Sequence, residues 1–381
     1  VAGIQDGLQI LSDDILGNVL VATRGFKQGE CILCEEPLVV VSSPWDLKEQ
    51  LRSADAYTHG AVMGMCFCPV MGPKKKELKR DANSALTLGA ILASNGHSYN
   101  SHSVAPRSAR EAFALYHLGS KAQHSCAPNC AYRNMSGRLM YTALVDIEAS
   151  SIVTFSYCLD WQELLLPTPD RQKLIKERRG FDCSCERCRG TDFLRKLWCD
   201  VCGEPELTPD DPTAPCSKWS CQACHATESG EGKKFTDEVE LSDTVAQLNP
   251  AASMDMAAVL NLRAACHQKL GRHHWTAAKC SYTLAIAYAA CSTLGDKKNV
   301  WEHYKDFKAF LQMTRLATSI PHLHHVLTIH LCEAGAIPEN EVAALYKDIL
   351  PMYQAIHGKN DVVEHMVLKL GGVTRAAEAC R

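Results

Sequence analysis

An α+β, multidomain chain is what this sequence predicts, and three textures along it carry that prediction. Short stretches rich in Ile, Leu and Val, punctuated by glycine, open the chain; paired cysteines crowd its middle; apolar residues at helical intervals fill the part after about residue 253. With 381 residues and 46% hydrophobic content, the chain can bury a sizeable core shared among two or three domains.

The β beginning lies in "LQILSDD", "NVLVATR" and "CILCEEPLVVV", separated by Gly17, Gly25 and Gly29. From Pro44 to Asn83 that pattern is lost, and the segment holds a basic cluster of Lys74, Lys75, Lys76, Lys79 and Arg80, read as a solvated loop or helix face. Residues 84–95, "SALTLGAILASN", suit a buried helix that Asn95-Gly96 ends; "RLMYTALVDI" and "SIVTFSYC" then restore β alternation. After Ser253, medium-length helices are punctuated at Gly271, Gly295, Pro321, Gly335-Pro338 and Gly358. This half reads as all-α, with helix pairs stacked in a TPR-like way although no 34-residue repeat is present. "HATESGEGKKFTDE", between the halves, reads as a polar linker.

Charge narrows the partners. A formal net charge of −3 and a pI near 6.6 supply no global basic field for nucleic acid or an anionic membrane, so neither is an expected partner. No apolar run approaches the roughly 20 residues that span a bilayer. Paired cysteine spacings favour zinc in a reducing compartment over disulfides, and an intracellular protein, cytoplasmic or nuclear, is the expectation.

The cysteines are specific. Cys183, Cys185 and Cys188 form C-x-C-x2-C; Cys199-Cys202 and Cys221-Cys224 form two C-x2-C knuckles joined by a Pro-rich loop, with Gly203 placed for a tight turn. The second group has the look of a zinc ribbon held by four cysteines, with Cys216 as the spare. Cys266, Cys280, Cys291 and Cys332 sit in helical apolar patterns and read as core filling. Cys31 and Cys34 lie in a strand, where i and i+3 face opposite sides, so no metal is expected there.

Read together, "QHSCAPNC", "IVTFSYCLDW" and "GFDCSCERC" resemble the SET-domain protein lysine methyltransferases, specifically the SMYD (SET and MYND) branch. "LGNVLVATRGFKQGECILCEEPLVV" looks like that family's opening motif and "SNGHSY" like its N-G-F-T-I element. The resemblance implies a β-rich SET fold with a pseudoknot, built from residues 1–45 and from a core at 84–180 with a short helical insertion. A post-SET zinc segment at 181–190, the ribbon at 191–230, a linker at 231–252 and the helical domain at 253–381 would follow. The stretch 46–83 stands in place of a MYND finger, for which Cys66 and Cys68 are too few.

For chemistry, the resemblance implies transfer of a methyl group from S-adenosylmethionine (SAM) to a lysine of a protein substrate, with Tyr157 as catalytic residue. Gly17, Asn18, Asn95, Gln123, His124, Tyr157 and Phe181 would surround the cofactor. Cys126 would join Cys183, Cys185 and Cys188 on a structural zinc ion, giving two such sites with the ribbon. The helical domain would wall the peptide cleft or recruit protein partners. Four departures stand out: Val19 for the second Gly of G-x-G, Gln123 for the Asn of N-H-S-C, Arg179 where many relatives have a post-SET Tyr, and His97 where they often have Phe. Val19, Gln123 and Arg179 motivate a rival reading, a SET-derived binding scaffold without catalysis.

Overall fold

The computed structural model describes residues 6–66, 81–99, 112–135, 137–158, 161–214, 217–248, 254–290, 294–314 and 316–379. The basic cluster at 74–80, Cys68, Cys216 and Cys291 lie outside them. The chain divides into two compact units, the first comprising Val1–Tyr157, Leu174–Cys183 and Ala355–His357 and the second the remainder.

The first unit is β-rich. β1 (Leu8–Asp13) and β2 (Gly17–Ala22) form an antiparallel hairpin whose turn is held by Asp13, its carboxylate accepting from the amides of Ile15 and Leu16. Gly17 closes that turn with φ of +73°, a left-handed conformation glycine adopts without Cβ strain. β3 (Cys31–Glu35) pairs with β9 (Arg138–Ala143), which pairs with β8 (Cys130–Met135). β4 (Val39–Val41) and β5 (His97–Tyr99) flank β6 (Ala112–Leu115). Buried side chains of these strands, among them Leu20, Ile32, Leu33, Ala114, Tyr116 and Tyr141, make one continuous core. Each such aliphatic side chain contributes roughly 1.5–3 kcal/mol of burial.

β7 (Gln123–His124) runs parallel to β10 (Thr154–Phe155), and the stretch leading into β10 also bonds β2, through Ala22 N to Ser151 O and Val153 N to Leu20 O. Segments far apart in sequence are thereby threaded side by side, and they carry His124 and Tyr157. Helices α1 (Pro44–Ser53), α2 (Ala56–Met63) and α3 (Ala85–Asn95) cover a second core with Val39, Leu47, Leu51, Leu88, Ile91 and Leu92. Ser43, Asp55 and Ser84 cap them, so the segment 46–66 keeps regular structure although it loses strand alternation.

Cys31 and Cys34 depart from the strand rule. The register slips between Cys31 and Leu33, a bulge that leaves Ile32 and Leu33 buried and turns both cysteines outward. Among the described residues neither joins a group of three or more metal-ligating side chains.

α4 (Thr168–Arg179) and α5 (Glu186–Arg189) precede the ribbon. In the second unit β11 (Leu207–Pro209), β12 (Trp219–Cys221) and β13 (Thr227–Glu228) form a small antiparallel sheet. Leu197, Leu207, Trp219, Phe235 and Leu270 pack together beneath it. The stretch read as a linker contains α6 (Lys233–Ala246): Phe235, Glu238 and Val245 recur on one face and are buried. Glu238 makes a bidentate pair with Arg195 at 2.8 and 2.9 Å, both side chains almost fully enclosed. Then follow α7 (Met256–Lys269), α8 (Trp275–Ala289), α9 (Leu294–Met313), α10 (Leu316–Ser319), α11 (Pro321–Glu333), α12 (Glu339–His357) and α13 (Asp361–Ala379). Successive helices from α6 to α9 pack on one another, and Cys266 and Cys280 lie buried between α7 and α8 as core residues. Among the described residues no helix is long and apolar enough to cross a membrane.

Candidate active site and metal centres

Tyr157 follows β10 in the first unit. Its hydroxyl donates to the Ala122 carbonyl at 2.7 Å and its amide donates to Nδ1 of His124 at 3.0 Å. Burial pushes the Tyr157 hydroxyl well above the usual phenol range, although Arg179 pulls the other way. The side chain is therefore a neutral hydroxyl throughout the physiological range. Phe155 packs on it, the two ring centroids 4.9 Å apart, and Tyr132 and Tyr141 pack in turn on Phe155 at 5.2 and 5.5 Å. Tyr132 and Tyr141 are cross-strand partners in β8 and β9.

His124 and Phe181 join this cluster. The His124 ring lies 5.2 Å from that of Tyr157 and 6.0 Å from that of Phe181. Phe181 follows Gly180, whose φ is +78°, and remains partly exposed, presenting an open aromatic face. Gln123 donates to the carbonyls of Lys121 and Asn18, which ties β7 to the start of β2 where Gly17 and Asn18 are exposed. The first departure is harmless sterically: the Val19 side chain is turned into the core and lines no open surface. Asn95 is buried, and its side-chain amide donates to the carbonyls of Cys66 and Ile91, so Oδ1 is the group it can offer a ligand.

The turn that places Ala122 is set from β3. The Glu35 carboxylate accepts from the amides of Leu118 and Gly119, each at 2.9 Å, and the Tyr141 hydroxyl donates to the Gly119 carbonyl. His97 packs edge-on against Tyr116 and Tyr132, and its Nδ1 meets the Asn95 carbonyl at 3.1 Å. Burial, aided by the Arg179 charge, holds His97 down at about 4, so it is a neutral wall. Arg179 donates to the Ala93 carbonyl at 2.7 Å and its guanidinium carbon stands 5.5 Å from the Tyr157 ring centroid.

The sulfurs of Cys126, Cys183, Cys185 and Cys188 all lie within 4.8 Å of one another, as do those of Cys199, Cys202, Cys221 and Cys224. A zinc ion with four bonds of about 2.3 Å requires sulfur–sulfur edges of about 3.8 Å. Cys199 and Cys224 are 3.6 Å apart and Cys202 and Cys221 3.7 Å apart, so the ribbon fits that tetrahedron. Its knuckles are alike: Gly203 N bonds Cys199 O with φ of +74°, and His225 N bonds Cys221 O with φ of +60°. Both clusters suit zinc as closed, structural sites with no position left for water. The fully buried Arg171 donates to Cys188 Sγ at 3.7 Å, a contact that offsets thiolate charge.

Spacing alone could not reveal Arg171, the Ala122 carbonyl or the aromatic wall of Tyr132, Tyr141 and Phe155. The paired tyrosines at matched positions of β8 and β9 were the available signal.

Residues 17–158 match the SET domain family. The protein-lysine N-trimethyltransferase SMYD5 of Gallus gallus is 30% identical over 135 residues, covering 35% of this chain and 26% of that one. The histone-lysine N-methyltransferase SMYD3 of Homo sapiens is 32% identical over 78 residues, 20% of this chain and 17% of its own. For the histone-lysine N-methyltransferase ASHR1 of Arabidopsis thaliana the figures are 34% over 171 residues, 42% and 35%. The chain thus spans well under half the length of each of these relatives. Residues 17–158 are a SET domain, and the chain that carries it is similar to the SMYD group.

Proposed function

We propose that this chain is a SAM-dependent protein-lysine N-methyltransferase. The observation that carries the reading is a neutral tyrosine hydroxyl, Tyr157, anchored on the Ala122 carbonyl inside an aromatic enclosure, next to His124 and Phe181. SAM, when bound, supplies an electrophilic methyl group on a sulfonium sulfur. Gly17, Asn18, Asn95, Gln123, His124 and Phe181 would hold it, through backbone, amide groups and an aromatic face.

Methyl transfer is an in-line displacement: the lysine nitrogen–carbon bond forms as the sulfur–carbon bond breaks, and the nitrogen must arrive unprotonated. The Tyr157 hydroxyl spends its proton on Ala122, which leaves oxygen lone pairs facing outward to orient the amine and the partly positive methyl. Tyr132, Phe155 and His97 exclude water around it. The partner is a protein that presents the lysine; the helical region offers surface for further protein contacts, and the near-neutral charge gives nucleic acid no purchase. The setting is intracellular.

A second reading, a binding scaffold without catalysis, draws on Arg179, which holds a cation over the tyrosine ring. One experiment separates the two. Purified protein is incubated with methyl-labelled SAM and a cell-extract protein mixture, with Tyr157→Phe alongside. Label on lysine that falls about 10²- to 10³-fold in the variant, the scale for removing one preorganised polar group, supports the enzyme. No label and no SAM binding by folded protein would support the scaffold.

A further inference from the structure

Lysine near neutral pH is almost wholly an ammonium ion, yet the attacking nitrogen must be neutral. Tyr157 cannot remove that proton, since its own hydroxyl is neutral and committed to Ala122. Nor do its neighbours supply a base. The groups whose charge acts on Tyr157 are Arg179 and Cys66; Tyr141 and Tyr132 are themselves pushed up by burial, His97 is pushed down, and His124 is occupied by the Tyr157 amide. Beyond the end of α4, the carboxylate of Asp182 pairs with Lys176 of that helix. Among the described residues, none of the charged groups that act on Tyr157 is a carboxylate.

One of them is a permanent cation. The Arg179 guanidinium is fastened by the Ala93 carbonyl at the end of α3 and stands 5.5 Å from the centre of the Tyr157 ring. We propose that Arg179 sets the protonation of the target lysine: fixed above Tyr157, its charge repels the ammonium form and favours the free amine at the site of transfer. The inference rests on the methyltransferase reading. The proton passes to solvent before transfer, so no base in the chain is needed, and the positive charge reappears on the methylated nitrogen as the sulfonium charge disappears. For an amine held at about 6 Å, the scale of the Arg179–Tyr157 separation, a unit charge moves the pKa by roughly 0.5–2 units across effective dielectric constants of about 80 down to 20. The departure from the family's tyrosine at this position would then exchange an aromatic wall for a field.

The test is the pH dependence of transfer from methyl-labelled SAM to an excess of cell-extract protein, where the maximal rate reports ionisations in the complex. Arg179→Gln keeps a donor for the Ala93 carbonyl and loses the charge; Arg179→Lys keeps the charge. The Gln variant is expected to move the acid limb up by about one pH unit, losing about tenfold at neutral pH, and to converge with wild type on the alkaline plateau. The Lys variant should track wild type. A Gln profile that coincides with wild type, or one lowered equally at every pH, overturns the role of Arg179 while leaving the enzyme intact. Absence of transfer by wild type removes the methyltransferase reading and this inference with it.

Discussion

Glu238→Ala should be the most destabilising single truncation in the second unit. The Glu238 carboxylate takes two hydrogen bonds from Arg195, with 5% and 4% of the two side chains exposed, and Nε2 of His274 approaches it at 3.4 Å. Burial alone would push the carboxyl up; hydrogen bonds from His274 and Arg195 and the guanidinium charge outweigh it and hold it at about 2, against an ordinary 4.5. At 1.36 kcal/mol per unit, that difference corresponds to about 3 kcal/mol. The sign follows from the depressed value: the stabilisation is complete above about pH 4.5 and is lost as pH falls toward 2. Removing the carboxylate also strands a buried guanidinium, a loss on the order of 3–5 kcal/mol. For a unit of this size that lowers Tm by about 10 °C. Trp219 is buried with the Arg195 guanidinium 4.9 Å from its ring, so its fluorescence during thermal or urea denaturation of the full chain reports the change. The double variant Arg195→Met/Glu238→Met should recover most of the loss, because an apolar pair removes both desolvation penalties. A loss below about 1 kcal/mol for Glu238→Ala would refute the assignment of this pair as the buried anchor between the start of the ribbon and α6.

Metal analysis of the purified chain should find two zinc ions, with Cys188→Ser and Cys221→Ser each reducing the count by one; retention of both ions in either variant contradicts the four-thiolate sites. His97 is held neutral at about 4, so acidification from about pH 6.5 to 4 should cost the first unit up to about 3 kcal/mol, measured by denaturation at each pH. His97→Phe should flatten that dependence, since aromatic rings already surround the site. Gly96→Ala places a Cβ 2.6 Å from the Leu92 carbonyl oxygen at the end of α3, and should lower stability by about 1–3 kcal/mol in urea titration.

What the sequence made legible was whatever local pattern dictates. Alternation announced β1, β2 and β9, and Ser84 and the Asn95-Gly96 pair bracketed α3. Cysteine spacing marked the ribbon cluster and three members of the other, because ligands on one tight turn constrain the intervening residues whatever surrounds them; Cys126 came from the family resemblance alone. Long-range pairing escaped. Cys31 and Cys34 face the same side rather than opposite sides because a bulge in β3 is decided by its partner strand β9. Polar composition concealed α6, whose few apolar residues and one paired glutamate are all that its buried face requires. Arg179 was visible as a departure, yet its place over Tyr157 depends on a carbonyl of α3, eighty-odd positions earlier in the chain.

The nine residues "AQHSCAPNC" show how closely metal and chemistry are joined. The Tyr157 amide donates to Nδ1 of His124, which leaves that ring's hydrogen on Nε2, and Nε2 faces the sulfur of Cys126 at 3.4 Å. A thiolate ligand is the better acceptor for that hydrogen, so metal at Cys126 would fix the ring that receives the tyrosine's backbone. Two positions earlier, the Ala122 carbonyl receives the tyrosine's hydroxyl. Tyr157 is thus gripped at both ends by one short loop, which metal at Cys126 would hold in turn. Loss of zinc should therefore act on the proposed methyl transfer through the orientation of Tyr157 before it acts on folding: partial chelation that lowers transfer while near-ultraviolet dichroism of the buried aromatic cluster changes and far-ultraviolet dichroism does not would bear this out. Full activity with Cys126 metal-free would separate the two functions of the loop.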